Sequence, residues 1–239
     1  TRVKRSVVGE VTKEVVKEAE KTVVVVATPE PKPAGPKMVR INFGAGDVPT
    51  IDPAISTDTS SVQVVDATTV GLTRQNEVTS LLKPGMATKW DISADGKTYT
   101  FSLRNDVPWV KYDGGKNAVV KVQDCNGADR MVNAYDFQYG ILRTLNPKTA
   151  SDYAYVLNFV IAGAGDFNSG TVTDTAKVGV TVVDTYTLKI DFNEPAAYNA
   201  AIAGLWVAHA QPKWIIEGDD CTDARGERWT EPGFFQSYG

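Results

Sequence analysis

Residues 84–104, Pro-Gly-Met-Ala-Thr-Lys-Trp-Asp-Ile-Ser-Ala-Asp-Gly-Lys-Thr-Tyr-Thr-Phe-Ser-Leu-Arg, constrain the fold of this chain more than any other stretch. Trp90 and Ile92 alternate with polar neighbours, and so do Tyr99, Phe101 and Leu103. A period of two places each set on one face of a strand. Between the runs, Asp95-Gly96 supplies residues that tolerate positive φ, so the segment predicts a β-hairpin with one apolar face that must pack against something.

A second hairpin is expected where Val178, Val180 and Val182 alternate, followed by Asp184-Thr185 and then Leu188, Ile190 and Phe192. Helices are expected between and after the hairpins. The first runs from about Ser60 to Gly71, capped by Thr59 or Ser60. The best supported starts at Asn133 as N-cap, with Asp136 at the third helical position and Val132 stapling onto Phe137. Phe137, Ile141 and Leu145 then form one buried stripe, and Pro147 ends the helix. Shorter helices are expected over 153–161, over 196–205 and from Pro212. The class is α+β, or α/β with mixed sheets.

Residues 1–37 differ in composition. They carry eight basic and five acidic residues, leaving 17 basic and 24 acidic residues in the rest of a chain whose net charge is −4. Glu10, Glu14 and Glu18 each precede a Lys by three, a spacing that favours helix, although the many β-branched valines oppose it. Pro29, Pro31, Pro33 and Pro36 predict an extended spacer, so 1–37 is expected to be a stem. A strand is expected over Met38–Phe43. The acidic body lacks the clustered Lys and Arg that phosphate neutralisation needs, which argues against nucleic acid as a partner. No run approaches the eighteen apolar residues of a membrane span, and no signal peptide opens the chain, which reads as a mature or trimmed form or as a cytosolic protein.

The hairpin block resembles the P-G-x-A-x-x-W-x-x-S-x-D-G-x-x-Y-x-F-x-L-R element of the extracytoplasmic solute-binding proteins of ABC importers, family 5, the oligopeptide/dipeptide-binding type. Other pieces fall in the family's order: Thr50-Ile51-Asp52-Pro53-Ala54, Asn105-Asp106-Val107-Pro108-Trp109, the helix start 132–139, Asn146-Pro147-Lys148-Thr149-Ala150-Ser151, and Arg228-Trp229-Thr230-Glu231-Pro232-Gly233. The resemblance covers roughly Met38 to Gly239. It implies a periplasmic-binding-protein-like type II lobe with an inserted second domain, the family's C-terminal lobe being missing. The implied plan is a first domain from 38–68 and 189–239 and an inserted domain over 69–188.

The resemblance further implies a solute-binding role: capture of peptides or similar small solutes outside the cytoplasmic membrane, delivery to membrane permease subunits, and tethering through an N-terminal anchor not present in the chain. In such a cleft Thr57 and Thr59 hold positions that offer main-chain hydrogen bonds to an extended ligand, and Tyr153 matches a tyrosine facing the ligand. The alternatives are a helix cap for Thr59 and a core aromatic for Tyr153. The family's anchor for a peptide's amino terminus lies on the missing lobe. Outside the cytoplasm, Cys125 and Cys221, each in polar loop-like sequence, suggest a disulfide, with two unpaired thiols as the alternative. A lone lobe serving as a structural or assembly protein at the surface is the competing reading, because an unpaired sheet edge suits edge-to-edge assembly.

Catalysis is not expected. The one histidine, His209, sits in an apolar run with no Gly-x-Ser-x-Gly elbow, and it reads as structural or cleft-lining. One His and two distant Cys offer no closed zinc set, and the Asp-rich pieces lack calcium-loop spacing, so neither metal nor cofactor is expected. Trp90, Trp109, Trp206 and Trp229 read as core residues.

Overall fold

The computed structural model describes strands over residues 4–8, 11–18 and 21–26, residues 40 and 42, and residues 46–230. The chain divides into two compact units, 1–42 and 43–239. In the first, β1 (Lys4–Val8), β2 (Val11–Glu18) and β3 (Lys21–Val26) form an antiparallel meander in the order β1-β2-β3. The Glu–Lys spacing had favoured a helix here. β-branched residues are stiff at χ1 and prefer extended backbone, and the run Thr22–Val26 consists of nothing else. The proline spacer lies outside the described residues, as does most of the strand expected over 38–43.

The second unit contains α1 (Thr59–Thr68), then the short pair β4 (Thr73–Gln75) and β5 (Leu82–Pro84). The predicted hairpin follows as β6 (Ala87–Ile92) and β7 (Thr98–Leu103), with Trp90 opposite Phe101, Ile92 opposite Tyr99, and Gly96 at φ +73°. A further hairpin, β8 (Val110–Asp113) and β9 (Ala118–Lys121), precedes the long helix α2 (Ala134–Leu145). Two short helices, α3 (Ala154–Asn158) and α4 (Ala164–Asn168), lead to the second predicted hairpin, β10 (Val180–Asp184) and β11 (Thr187–Asp191). The unit closes with α5 (Asn199–Ile202), a 3-10 turn at 206–208, and α6 (Lys213–Ile216), which follows Pro212 as expected.

The two sequence-predicted hairpins join into one antiparallel sheet of order β10-β11-β7-β6. That order explains where the alternation holds. β7 is central, and Tyr99, Phe101 and Leu103 are all buried. β6 is an edge strand, so Ile92 stays 52% exposed and Trp90 only half-buried, contrary to the expectation of a fully packed face. β11 is the other central strand, and the expected domain boundary between 188 and 189 runs through it.

Helix α2 packs on β10 and β11. Its start is as expected: Asn133 Oδ1 accepts from the Tyr135 N–H at 2.9 Å, and Asp136 Oδ2 accepts from the Asn133 N–H at 3.1 Å. These reciprocal bonds satisfy amides that a helix start leaves unpaired. Phe137, Ile141 and Leu145 are fully buried among Phe101, Leu157, Leu188 and Ile190. Beside that stripe, the segment 209–211 runs so close to α2 that a Cβ at Gly140 would lie 2.2 Å from the His209 carbonyl oxygen. The other helices are shorter than expected, at five residues rather than nine for α3 and four rather than ten for α5.

Candidate functional site

The site is built on a buried ion pair. Asp52 has no exposed surface, and its carboxylate accepts from Arg143 Nη1 and Nη2, both at 2.8 Å. It also accepts from the Trp229 indole at 2.8 Å and the Ala54 N–H at 3.0 Å. Arg143 Nη1 donates a further bond to Gln211 Oε1 at 2.8 Å. A buried charge persists only when paired and fully hydrogen-bonded, and this one ties together residues drawn from positions 52, 143, 211 and 229.

From this anchor the chain turns outward. The Asp52 carbonyl accepts from the Ser56 N–H at 2.9 Å and the Ser56 hydroxyl at 2.7 Å, fixing the loop 52–56. The Ser56 carbonyl accepts from the Trp206 indole at 3.2 Å. The Trp206 ring meets the Tyr153 ring edge-on at 5.3 Å between centroids, and Tyr153 meets Tyr155 at 5.7 Å. Ala150, at φ +52°, turns the backbone just ahead of these tyrosines.

Thr57 is therefore carried, through Ser56 and Trp206, to the same part of the surface as Tyr153. Thr57 and Thr59 are exposed. Among the described residues the backbone N–H and C=O of Thr57 have no hydrogen-bond partner. The cap of α1 is Asp58, whose Oδ1 accepts from the Ser61 N–H at 2.8 Å, so neither Thr59 nor Ser60 fills the expected capping role. Tyr153 is half-buried. Trp206, expected in the core, is half-buried and forms the hinge of the aromatic corner. The sequence signal for it was slight, a lone indole after Gly204-Leu205. Trp109 and Trp229 are buried as expected.

Trp206 also borders a cavity of about 310 Å³ lined by Val62 and Asp66 of α1, Thr73 and Arg74 of β4, and His209. Burial raises the Asp66 carboxyl, and nearby Arg74 opposes that rise. His209 is 2% exposed; its Nδ1 lies 2.8 Å from the Thr69 hydroxyl and its Nε2 3.3 Å from the Gly204 carbonyl. A carbonyl only accepts, so Nε2 carries the proton. Burial pulls the imidazole down to about 4, against the Gly204 bond, which favours the charged form. Asp136 moves the other way: burial raises it to about 6, against the opposing bonds from Trp109 and Asn133.

These two groups give opposed pH dependences. The unfolded chain protonates His209 near 6.5 while the native state resists down to about 4, so falling pH removes stability across that window, by about 3 kcal/mol in all. Asp136 binds its proton more tightly when folded, so falling pH adds stability between about 6 and 3.8, by a similar amount of about 3 kcal/mol. His209→Asn should therefore expose the Asp136 slope, with urea midpoints rising from pH 7 to pH 4 relative to the unaltered protein. A variant whose pH profile parallels the original would refute the assignment.

The structure joins Cys125 and Cys221 in a disulfide, with Cα atoms 5.4 Å apart. Asp219 lies beside the pair, and the three side chains gather within 4.8 Å. Both sulfurs are bonded to each other, so the cluster offers no thiolate to a metal. Arg130 donates to Asp219 Oδ2 at 2.5 Å and lies over the Trp214 ring, 4.6 Å from its centroid, bracing the bridged loops.

Comparison with known proteins agrees with this framework. The chain is 34% identical to the oligopeptide-binding protein AmiA of Streptococcus pneumoniae over 152 residues, 64% of this chain and 21% of that protein. It is 32% identical to the oligopeptide-binding protein OppA of Bacillus subtilis, over 71% of this chain and 29% of that one. The crystal structure of Haemophilus influenzae OppA in complex with RPPGFSPFR superposes with a TM-score of 0.63 at 25% identity, covering 78% of this chain and 32% of that chain. The chain thus spans less than a third of the length of these relatives, as a partial lobe of the type II periplasmic-binding fold does. Proteins of this kind are extracellular or periplasmic and bind solutes without transforming them. Residues 82–232 match the middle region of the bacterial extracellular solute-binding proteins, family 5, and the chain belongs to that family.

Proposed function

We propose that this chain is part of the solute-binding component of an ABC importer, that it presents one wall of a peptide-binding cleft outside the cytoplasmic membrane, and that the assembled protein delivers its ligand to permease subunits. The observation that carries this reading is the unpartnered backbone of Thr57 beside the Trp206–Tyr153 corner. A free N–H and C=O next to an aromatic wall are what an extended peptide needs: the backbone pairs by strand addition, and the side chain rests on the rings. Thr59 would extend the same wall. The peptide-binding relatives support the substrate class. The disulfide suits an oxidising compartment, and tethering through residues 1–37 is part of the same proposal. So is the discontinuous plan, with 38–68 and 189–239 flanking an inserted 69–188.

Isothermal titration calorimetry of the protein as it is naturally produced, against peptides of two to nine residues and against oligosaccharides, tests the reading. Peptides should bind, and Tyr153→Ala should weaken them about 5- to 10-fold, the loss of one aromatic contact. Binding of oligosaccharides but no peptide would overturn it.

A further inference from the structure

The aromatic corner continues beyond Tyr153 into surface that is exposed without an evident structural reason. Tyr155 is 60% exposed and Phe159 76% exposed. They are four residues apart on one helical turn, where the Phe159 N–H bonds the Tyr155 carbonyl at 3.2 Å. Large aromatic groups clustered at a surface mark a contact site rather than ordinary exposure.

The charged side chains contributed by the chain segments that build this surface are all acidic. Three segments meet at Trp206: 51–70 through the Ser56 carbonyl, 150–168 through the Tyr153 ring, and 193–212, which carries Trp206 itself. None contains a Lys or Arg, and together they hold Asp52, Asp58, Asp66, Asp152, Asp166 and Glu194. Asp52 is consumed by Arg143, Asp58 caps α1, Asp66 faces Arg74, and Glu194 lies 3.3 Å from Lys97. Asp152, adjacent to Tyr153, is exposed and has no ion-pair partner among the described residues. The nearest cations along the chain are Lys213, immediately after the third segment, Lys148, ahead of the second, and Arg74 and Lys189, which flank the first and third. Lys97 reaches the third segment through its Nζ, 2.7 Å from the Asn193 carbonyl.

We infer that the Tyr153–Tyr155–Trp206 corner, with Asp152 at its edge, selects ligands carrying a cationic side chain, an ammonium or guanidinium group laid on the rings. Ring faces carry negative potential and attract such cations, and a neighbouring carboxylate adds to the attraction. Tyr155 is the specificity-determining residue, because it offers the exposed ring while Tyr153 is held against Trp206. This inference rests on the peptide reading above.

Calorimetry with Ala-Ala-Ala and with tripeptides bearing Lys, Arg, Phe or Glu at each position in turn, using the naturally produced protein, tests it. The terminal charges are common to all and cancel in the comparison. At one position, Lys and Arg peptides should bind about 5-fold or more tightly than Ala, with Glu weakest. Tyr155→Ala should bring Lys and Arg peptides to within about 2-fold of Ala-Ala-Ala measured on the same variant, and Tyr155→Phe should retain the preference. Because Tyr155 is exposed, neither variant threatens folding. Tighter binding of Phe than of Lys, or an equal effect of Tyr155→Ala on all peptides, overturns the cation selectivity and leaves the peptide reading standing. Failure of every peptide to bind the unaltered protein overturns both.

Discussion

Asp52→Ala should destabilise the folded chain by about 3–5 kcal/mol, the cost of leaving a buried guanidinium without its counter-charge. The variant strips Arg143 of both bonds at 2.8 Å and frees the Trp229 indole and the Ala54 N–H as well. Arg143→Met should cost a similar amount, because it strands a carboxylate with no exposed surface. The double variant Asp52→Leu with Arg143→Met should be less destabilised than the two single effects added together, since no unpaired charge then remains. Urea denaturation of the three variants measures this directly. A midpoint within about 1 kcal/mol of the original for either single variant would show that the pair is not what clamps the site. The loop 52–56 is shaped by the same aspartate, so Asp52→Ala should also disorder the approach to Thr57 and loosen Trp206, visible as a change in tryptophan emission.

Replacing both Cys125 and Cys221 by Ala should cost up to about 4.7 kcal/mol on the chain-entropy account, given a bridge between residues 96 positions apart. The bridge connects the loop after β9 to the loop after α6, and it is supported there by the Arg130–Asp219 pair and by Arg130 over Trp214. Reductant should therefore lower the melting temperature of the unaltered protein and leave the double variant unmoved. If reductant acts equally on both, or on neither, the cross-link is not a source of stability. Reduction should leave the Asp52–Arg143 pair intact, so the two perturbations should add.

Local chemistry was legible wherever it was self-contained. The Asp95-Gly96 turn, the capping box of Asn133 and Asp136, the stripe of Phe137, Ile141 and Leu145, and the alternation of Leu188 and Ile190 each depend on neighbours within a few residues. Each appears as its pattern predicts. Misreadings arose where a distant element decided. Ile92 obeys the same period as Phe101, yet it stays exposed because β6 lies at the sheet edge. Residues 10–21 carry helix-compatible charge spacing, yet pairing with adjacent β-branched strands wins. Thr59 and Asp58 are both acceptable caps by composition, and only backbone geometry separates them.

Taken alone, the amino-acid sequence determined the hairpins, the long helix and the family resemblance, because those follow from short-range periodicity and residue chemistry. The tertiary structure decided what the scattered motifs are for. Asp52, Arg143, Gln211 and Trp229 are spread over 178 positions of the chain, and only folding shows that they meet at one buried carboxylate. It also decided that Trp206 joins Ser56 to Tyr153, since a hydrogen bond between residues 150 apart and a ring contact between distant segments are set by packing and leave no periodic trace in the chain.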